Sequence, residues 1–159
     1  MKKLLLVMVA VAFTSTVSAQ NFNAGINAGF PSGDASDYSS FALAVDLAYM
    51  FDSSSDDFNF GLATGVLHSF GKENMGIDWD DHSFLPLAVA GRLGLGGGFG
   101  LGADVGYAIG LNDGNEGGFY YAPRLSYGIS DGMSIVAGYR GVSNDGSWDN
   151  ITFGIEFGL

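Results

Sequence analysis

Apolar and polar residues alternate along most of the chain. In the last nine residues, ITFGIEFGL, five bulky apolar side chains alternate with threonine, glutamate and two glycines. A period of two residues is typical of a β-strand with two unlike faces. The same pattern recurs upstream, and no segment after the N-terminal region has the 3.6-residue period of a helix. The sequence therefore predicts an all-β protein with eight strands.

The connections between the predicted strands alternate in length. Long polar loops are predicted at residues 31 to 40, 71 to 83, 112 to 118 and 142 to 150, and shorter turns at 52 to 57, 96 to 98 and 130 to 132. Bacterial outer-membrane barrels have short turns in the periplasm and longer loops outside. The predicted fold is an eight-stranded antiparallel up-and-down transmembrane β-barrel.

The two faces of the predicted strands differ in the size of their side chains. One face carries nearly all the bulky apolar residues, and the other carries mainly glycine and alanine with a few polar residues. The interior of an eight-stranded barrel is just wide enough for side chains to fill, so the bulky face must point outward. Lipid is the solvent that can cover such a face. A soluble exported barrel of the lipocalin type is less favoured because it needs apolar residues inside.

The N-terminal segment has the features of an export signal. Lys2 and Lys3 precede an apolar run from residue 4 to 13, and small residues precede Gln20. This is the pattern of a cleaved secretory signal peptide. The apolar run is too short to cross a membrane as a helix, which takes about 20 residues. We expect residues 1 to 19 to be the signal peptide and residues 20 to 159 to be the barrel domain.

Composition excludes several classes of function. Loss of Lys2 and Lys3 with the signal peptide lowers the formal net charge from −11 to −13. Such an acidic chain has no basic surface for a phosphate backbone, so nucleic acid is excluded as a partner. The chain has no cysteine, which excludes disulfides and thiolate chemistry. No cofactor is expected.

The chain resembles the eight-stranded outer-membrane barrels of the OmpA/OmpX type, in the outer membrane protein β-barrel domain family. The resemblance covers residues 20 to 159. It rests on the signal peptide, the alternating strands, SFLPLAVAGRLGL in the fourth predicted strand, and APRLSYGISDGMSIVAGYRG in the sixth and seventh. It implies a location in the outer membrane of a Gram-negative bacterium, contact with outer-membrane lipids, and insertion by the barrel-assembly machinery.

The C-terminal strand carries the expected assembly signal. Members of the family usually end in Phe or Trp, whereas this chain ends in leucine. The resemblance assigns the signal to Phe153, Ile155, Phe157 and Leu159.

Six charged residues fall on the small-residue face. They are Asp46, Arg92, Asp104, Arg124, Arg140 and Glu156. The predicted register places Arg92 opposite Gly102 and, across the next loop, Arg124 opposite Gly106, so that Asp104 is a diagonal neighbour of both arginines. An unpaired charge in so narrow an interior is costly. We therefore predict a charge network, centred on Asp104, that plugs the lumen and prevents conduction.

The second predicted loop contains a cluster of acids. Asp78, Asp80 and Asp81 precede His82, and hard oxygen ligands at close spacing could hold a divalent cation. The spacing does not match a calcium-binding loop. Solvated loop charge is therefore the favoured interpretation, and a metal site is a weak alternative.

Each of the two histidines stands in an HSF triplet. Lipid A deacylases are also eight-stranded barrels, with a Ser-His-acid arrangement on the outer wall, and alternation places His68 outward near the external rim. A nucleophile needs its base within hydrogen-bond reach. Ser69 follows His68 in the same strand and so points to the opposite face. The sequence therefore predicts an interfacial histidine and no enzyme.

The functional prediction is a structural scaffold that presents four acidic external loops to a surface partner, since loops carry function on such scaffolds. Trp79 and Trp148 are predicted in these loops, where their rings either contact a partner or the membrane or pack within the loops. A narrow pore and a lipid-modifying outer-membrane enzyme are the alternatives.

Overall fold

The computed structural model describes residues 21 to 159 apart from 52, 56 and 75. The elements are β1 (Phe22–Ser32), α1 (Ala35–Tyr38), β2 (Ser39–Met50), β3 (Phe58–Gly71), β4 (Glu73–Asn74), β5 (Ile77–Asp78), β6 (His82–Gly96), β7 (Phe99–Gly110), β8 (Gly118–Ser130), β9 (Met133–Ser143) and β10 (Ser147–Gly158). The predicted signal peptide lies outside the described residues. Within the described part of the chain, no helix has the length and apolar character to cross a membrane.

Eight strands form a closed antiparallel barrel in the order β1-β10-β9-β8-β7-β6-β3-β2. The first and last barrel strands pair with each other, with Ile26 opposite Ile155. Closure leaves no unpaired strand edge in the barrel wall. The short strands β4 and β5 form a separate hairpin between β3 and β6. The prediction of an eight-stranded antiparallel barrel is confirmed.

The connections define two ends of the barrel. The loop end has residues 33–38, 72–81, 111–117 and 144–146, and the turn end has residues 51–57, 97–98 and 131–132. The last connection at the loop end is much shorter than predicted, because β9 and β10 remain paired up to Ser143 and Ser147. Trp148 therefore lies in β10, and its prediction as a loop residue was wrong.

The turn between β6 and β7 is built from glycines. Gly96, Gly97 and Gly98 all have positive φ angles, of 84°, 62° and 85°, a conformation that glycine adopts readily. The predicted three-residue turn is instead a two-residue turn, because Gly96 pairs with Phe99 after a register shift beyond Gly94. The turn is one residue shorter than predicted, but the register shift adds one residue on β6. The two differences cancel, and Arg92 lies opposite Gly102 as predicted.

The outer wall of the barrel carries bulky apolar side chains, and the inner wall carries many small ones. Val89, Leu87 and Phe153 are each more than half exposed on the outside of the barrel. Alanines fill inward positions and are buried, among them Ala42, Ala44, Ala88, Ala90, Ala108 and Ala122. The predicted assignment of the two faces is confirmed, and so large an apolar wall needs lipid around it.

Aromatic rings gather near both ends of the outer wall. At the turn end the rings of Phe51 and Phe60 are 5.3 Å apart, and at the loop end those of Phe41 and Phe70 are 6.2 Å apart. Further contacts join Phe22 to Tyr49, Phe99 to Tyr127, Phe30 to Phe41 and Tyr121 to Tyr139. Two such girdles are typical of transmembrane barrels, where the rings sit at headgroup level.

Bulky side chains fill the lumen toward the loop end. We call this group the apolar layer, and it consists of Leu67, Phe84, Tyr120 and Val142 with the surrounding alanines. Trp148 packs against it. The four large side chains are each at most 4% exposed, so this half of the lumen is a packed core.

Candidate functional site

Below the apolar layer, three arginine–carboxylate pairs lie in the lumen. The best connected pair joins β9 to β2. The guanidinium of Arg140 donates two hydrogen bonds to the carboxylate of Asp46, at 2.7 and 2.5 Å. Asn27 donates a third hydrogen bond to the same carboxylate, at 2.6 Å. Bidentate, charge-assisted hydrogen bonds are the strongest that side chains make.

The second pair joins neighbouring strands. Arg92 on β6 donates to Asp104 on β7 at 2.6 Å, which agrees with the predicted diagonal contact. Between the two arginines of this region lies Gly102, where an added Cβ would be 2.8 Å from Arg92 Cδ and 3.1 Å from Arg124 Cγ. The glycine therefore leaves the space through which both arginine side chains pass.

The third pair differs from the prediction. Arg124 lies opposite Gly102 and not opposite Gly106, because Gly118 pairs with Ala108 and the loop before it is wider than expected. The shift of four residues keeps Arg124 on the lumen face, since side chains alternate with period two. Its partner is Glu156 on β10, at 2.6 Å, and not Asp104.

We call these three contacts the ion-pair layer. The predicted centre at Asp104 was wrong: each carboxylate serves one arginine, and Asp46 has the most partners. The Arg140 to Asp46 pair also spans two intervening strands, since β10 and β1 separate β9 from β2. Among the described residues, buried Arg92 Nε and Nη2 and Arg124 Nε have no hydrogen-bond partner, whereas no nitrogen of Arg140 is a buried atom without a partner.

A cavity of 530 Å³ opens among the loop-end connections. Phe84 and Trp148 line it from the side of the apolar layer, and Tyr38 stacks on the Trp148 ring at 6.4 Å. Four acids line the cavity: Asp34, Asp37, Glu116 and Asp145. The cavity thus combines aromatic faces with negative charge.

The acids of the predicted metal cluster do not converge. The side chain of Asp78 lies outside the described part of the structure. Asp81 accepts a hydrogen bond from the Gly71 N–H at 2.8 Å, and the backbone carbonyl of Asp80 contacts His82 Nδ1 at 2.9 Å. Within the described residues, no group of three or more histidines or acids could hold a metal ion.

The C-terminal strand presents its apolar face to the surroundings of the barrel. Phe153, Ile155, Phe157 and Leu159 are all exposed on the outer wall. The Leu159 N–H donates to the Phe22 carbonyl at 2.8 Å, so the end of the chain lies beside the start of β1. The segment assigned to assembly is therefore also the strand that closes the barrel.

Sequence reasoning missed the contact of His68. It paired this histidine only with Ser69, which is fully buried on the inner face. The structure instead places Ser83 directly opposite His68 across β3 and β6, with Nδ1 and Oγ 2.7 Å apart. The register across the intervening loop was needed to find this pair, and the second HSF triplet was its only signal in the sequence.

Three solved structures are similar to the chain over most of its length. The outer membrane protein Ail of Yersinia pestis gives a TM-score of 0.59 at 13% identity, over 85% of this chain and 97% of Ail. The N-terminal β-barrel domain of Pseudomonas aeruginosa OprF gives 0.52 at 16% identity, over 87% and 97%. Neisserial surface protein A gives 0.50 at 12% identity, over 91% and 100%.

The chain has the fold of the small outer-membrane β-barrels. This fold supports a location in the outer membrane, in agreement with the apolar wall and its two aromatic girdles. None of the three similar proteins is named as an enzyme. No family model matches the chain, and no curated protein matches it significantly.

Proposed function

We propose that the chain is a non-conducting barrel of the Gram-negative outer membrane that presents acidic loops at the cell surface. In this proposal the turn end faces the periplasm and the loop end faces outward, as in other outer-membrane barrels. The barrel itself is the structural scaffold. The loops are the part that meets a surface partner.

The observation that carries the proposal is the succession of two layers in one lumen. The apolar layer is closed to solvent at Leu67 and Phe84. Directly beneath it, Arg140 and Asp46 bridge two strands that are not neighbours. A conducting pore needs a continuous water path, and the two layers together leave little room for one.

The sign of the loop charge suggests the chemistry of a partner. Lys72 is the one basic residue of the four loop-end connections, against the acids Asp34, Asp37, Glu73, Asp78, Asp80, Asp81, Asp113, Glu116 and Asp145. Electrostatic complementarity favours a cationic partner, such as a basic segment of a protein. The aromatic faces in the cavity add cation–π contacts.

Conductance measurements test the closed lumen. We expect the wild-type chain, inserted in planar bilayers, to give no steady current. The double substitution Leu67→Ala with Phe84→Ala removes the bulk of the apolar layer and is expected to raise conductance. The matched control replaces two outward residues, Leu87→Ala with Val89→Ala, and should leave the bilayer silent. A steady ohmic current from the wild type would contradict the proposal.

Refolding into lipid tests the outer wall. Val89→Arg places a charge on the lipid face and is expected to lower the free energy of unfolding by roughly 2 to 4 kcal/mol. Equal stability of this variant and the wild type in lipid vesicles would mean that the face does not contact lipid.

Binding of a cationic probe tests the loops. We expect polylysine to bind vesicles that carry the protein and to dissociate as salt increases. Neutralising Asp34, Asp37, Glu116 and Asp145 as amides should weaken binding, whereas Asp131→Asn at the turn end should not. Equal binding by both variants would contradict a role for the cavity.

The assembly signal is also part of the proposal. We expect the outward residues of β10 to be recognised by the barrel-assembly machinery. Replacing Phe157 by Ser should reduce insertion in cells while refolding of the purified chain in detergent is retained. Loss of refolding in detergent would indicate a role in the barrel alone.

A further inference from the structure

Three side chains near the loop end form a Ser-His-Asp arrangement on the outer wall. His68 Nδ1 lies 2.7 Å from Ser83 Oγ, and His68 Nε2 lies 3.5 Å from Asp81 Oδ2. We propose that Ser83, His68 and Asp81 form an esterase site that acts on carboxylic ester bonds of membrane lipids. The site needs the barrel in a membrane, but it does not depend on a closed lumen.

The backbone of Ser83 is held on both sides. Its N–H donates to Asn112 Oδ1 at 2.5 Å. Its carbonyl accepts from the Leu111 N–H at 2.8 Å and from Asn115 Nδ2 at 3.1 Å. The connection between β7 and β8 thus fixes the nucleophile, and a nucleophile that is already in place lowers the entropic cost of attack.

Asp81 is oriented by its own hydrogen bond. Oδ1 accepts the Gly71 N–H at 2.8 Å, which turns Oδ2 toward His68. A Cβ on residue 71 would overlap the carbonyl of Trp79, so glycine is required where the loop packs on the end of β3. Asp81 contacts His68 and no reacting atom, and it is therefore a positioning residue.

The tautomer follows from these partners. The carboxylate of Asp81 favours a proton on Nε2, which leaves the lone pair of Nδ1 directed at the Ser83 hydroxyl. This is the arrangement of a general base beside its nucleophile. The rings of His68 and Phe70 also pack nearly perpendicular to each other, with centroids 4.4 Å apart, and this contact restricts rotation of the His68 ring.

The position of the site on the barrel selects the substrate. His68 and Ser83 share the outer face with Phe70, a residue of the loop-end aromatic girdle. This girdle marks the level of the lipid headgroups, where the ester bonds of lipids also lie. Ser83 is half-buried and the His68 side chain is 32% exposed, so an ester bond of a neighbouring lipid can reach both groups.

The reaction consists of two acyl transfers. Ser83 Oγ attacks the carbonyl carbon of the ester while His68 Nδ1 takes the hydroxyl proton. The bond to the alcohol oxygen breaks, the alcohol takes the proton from His68, and the acyl group remains on Ser83. Water then attacks the acyl group, again giving a proton to His68, and the fatty acid leaves as Ser83 recovers its proton.

Asn112 is placed to stabilise the oxyanion. Its Oδ1 accepts the Ser83 N–H, so the amide lies next to the backbone of the nucleophile, and in the proposed site its Nδ2 group is the oxyanion donor. Side-chain amides serve as oxyanion donors in acyl transfer.

Labelling with a fluorophosphonate tests the nucleophile in the full purified chain. Ser83 Oγ bonds to phosphorus, fluoride leaves, and the proton goes to His68. We expect a label on Ser83 by peptide mass spectrometry, none at this site in Ser83→Ala, and a rate at least about 100-fold lower in His68→Ala. Ser143→Ala, which removes another exposed hydroxyl at the loop end, should label as the wild type does.

Heat-modifiable gel migration shows that each variant is folded before it is compared. For the positioning residue, Asp81→Ala should lower the maximal labelling rate without changing the half-saturating probe concentration, and Asp81→Glu should restore part of the rate. An unlabelled wild type, a label that persists in Ser83→Ala, or a His68→Ala variant as fast as the wild type would overturn the proposal.

Fatty acid release then assigns the lipid. The protein is placed in vesicles of glycerophospholipid alone or in vesicles that also contain lipopolysaccharide, and released fatty acids are measured by mass spectrometry. Release in the first vesicles assigns the glycerophospholipid esters, and release only in the second assigns the acyl esters of the glycolipid. No release in either, or equal release by Ser83→Ala, would overturn the assignment to lipid esters.

Discussion

The loop-end and turn-end halves of the lumen are filled by different chemistry. Toward the loop end the apolar layer packs Leu67 and Phe84 among alanines. Toward the turn end, arginine–carboxylate pairs lie among glycines, and the lumen-facing Gly94, Gly128 and Gly158 are exposed. The difference shows that a narrow barrel can be filled either by packed apolar side chains or by long ion-paired side chains that lie among glycines.

The two halves respond differently to the loss of one side chain. A missing apolar group leaves a cavity, with a cost that depends on how far the surroundings collapse. A missing carboxylate leaves a buried arginine without its partner, and that cost depends on which other acceptors the arginine keeps. The following substitutions use this difference, measured as free energy of unfolding in lipid vesicles.

Asp46→Ala is expected to have the largest effect. It removes the acceptor of both Arg140 hydrogen bonds and of the Asn27 hydrogen bond. Removing one partner of a buried ion pair costs roughly 3 to 5 kcal/mol. The double substitution Asp46→Leu with Arg140→Met should recover much of the loss. A single variant as stable as the wild type would show that this pair does not support the barrel.

Leu67→Ala tests the apolar half. Leu67 is fully buried, and we expect a loss of about 3 kcal/mol from removed contacts and the cavity that remains. The effect should not change with salt, because no charged group is removed. Leu87→Ala on the outer wall is the matched control, and it should cost less because lipid fills the space. Equal costs at the two leucines would contradict a packed lumen.

Asp104→Ala should have a smaller effect than Asp46→Ala, about 2 kcal/mol. Its partner Arg92 keeps the Gly91 carbonyl as an acceptor at 2.9 Å, so the guanidinium is not left alone. In the same region Gly102→Ala should cost about 1 kcal/mol by crowding two flexible arginine side chains. If Asp104→Ala were the most harmful of all, the network would be centred there after all.

Gly106 lies close against the backbone of the neighbouring strand β6. A Cβ at residue 106 would overlap the backbone carbonyl of Leu87, which cannot move aside as a side chain can. We therefore expect Gly106→Ala to be worse than Gly102→Ala by 1 kcal/mol or more, on the order of a strained backbone contact. Equal melting of the two variants would contradict this.

Asp80→Ala should have the smallest effect, within about 0.5 kcal/mol. Asp80 belongs to neither half of the lumen and is exposed in the connection before β6. A large loss here would mean that the loop acids support the barrel, and the comparison between the two halves would then be incomplete.

The sequence by itself determined the strands and their faces. A strand places successive side chains on opposite faces, so a period of two is readable without any contact. The short connection after Gly94 also determined that Arg92 lies opposite Gly102. A short hairpin turn has only a few possible conformations, so it leaves few possible registers for the two strands.

Only the tertiary structure decided which residues meet across loops and across the barrel. Arg124 was assigned to Asp104, but the wide connection before β8 moves it to Glu156. The Arg140 to Asp46 pair and the contact of Ser83 with His68 were not found for the same reason. A long loop does not determine its own register, and strand tilt determines which rows face each other across the lumen. Both are set when the whole barrel closes.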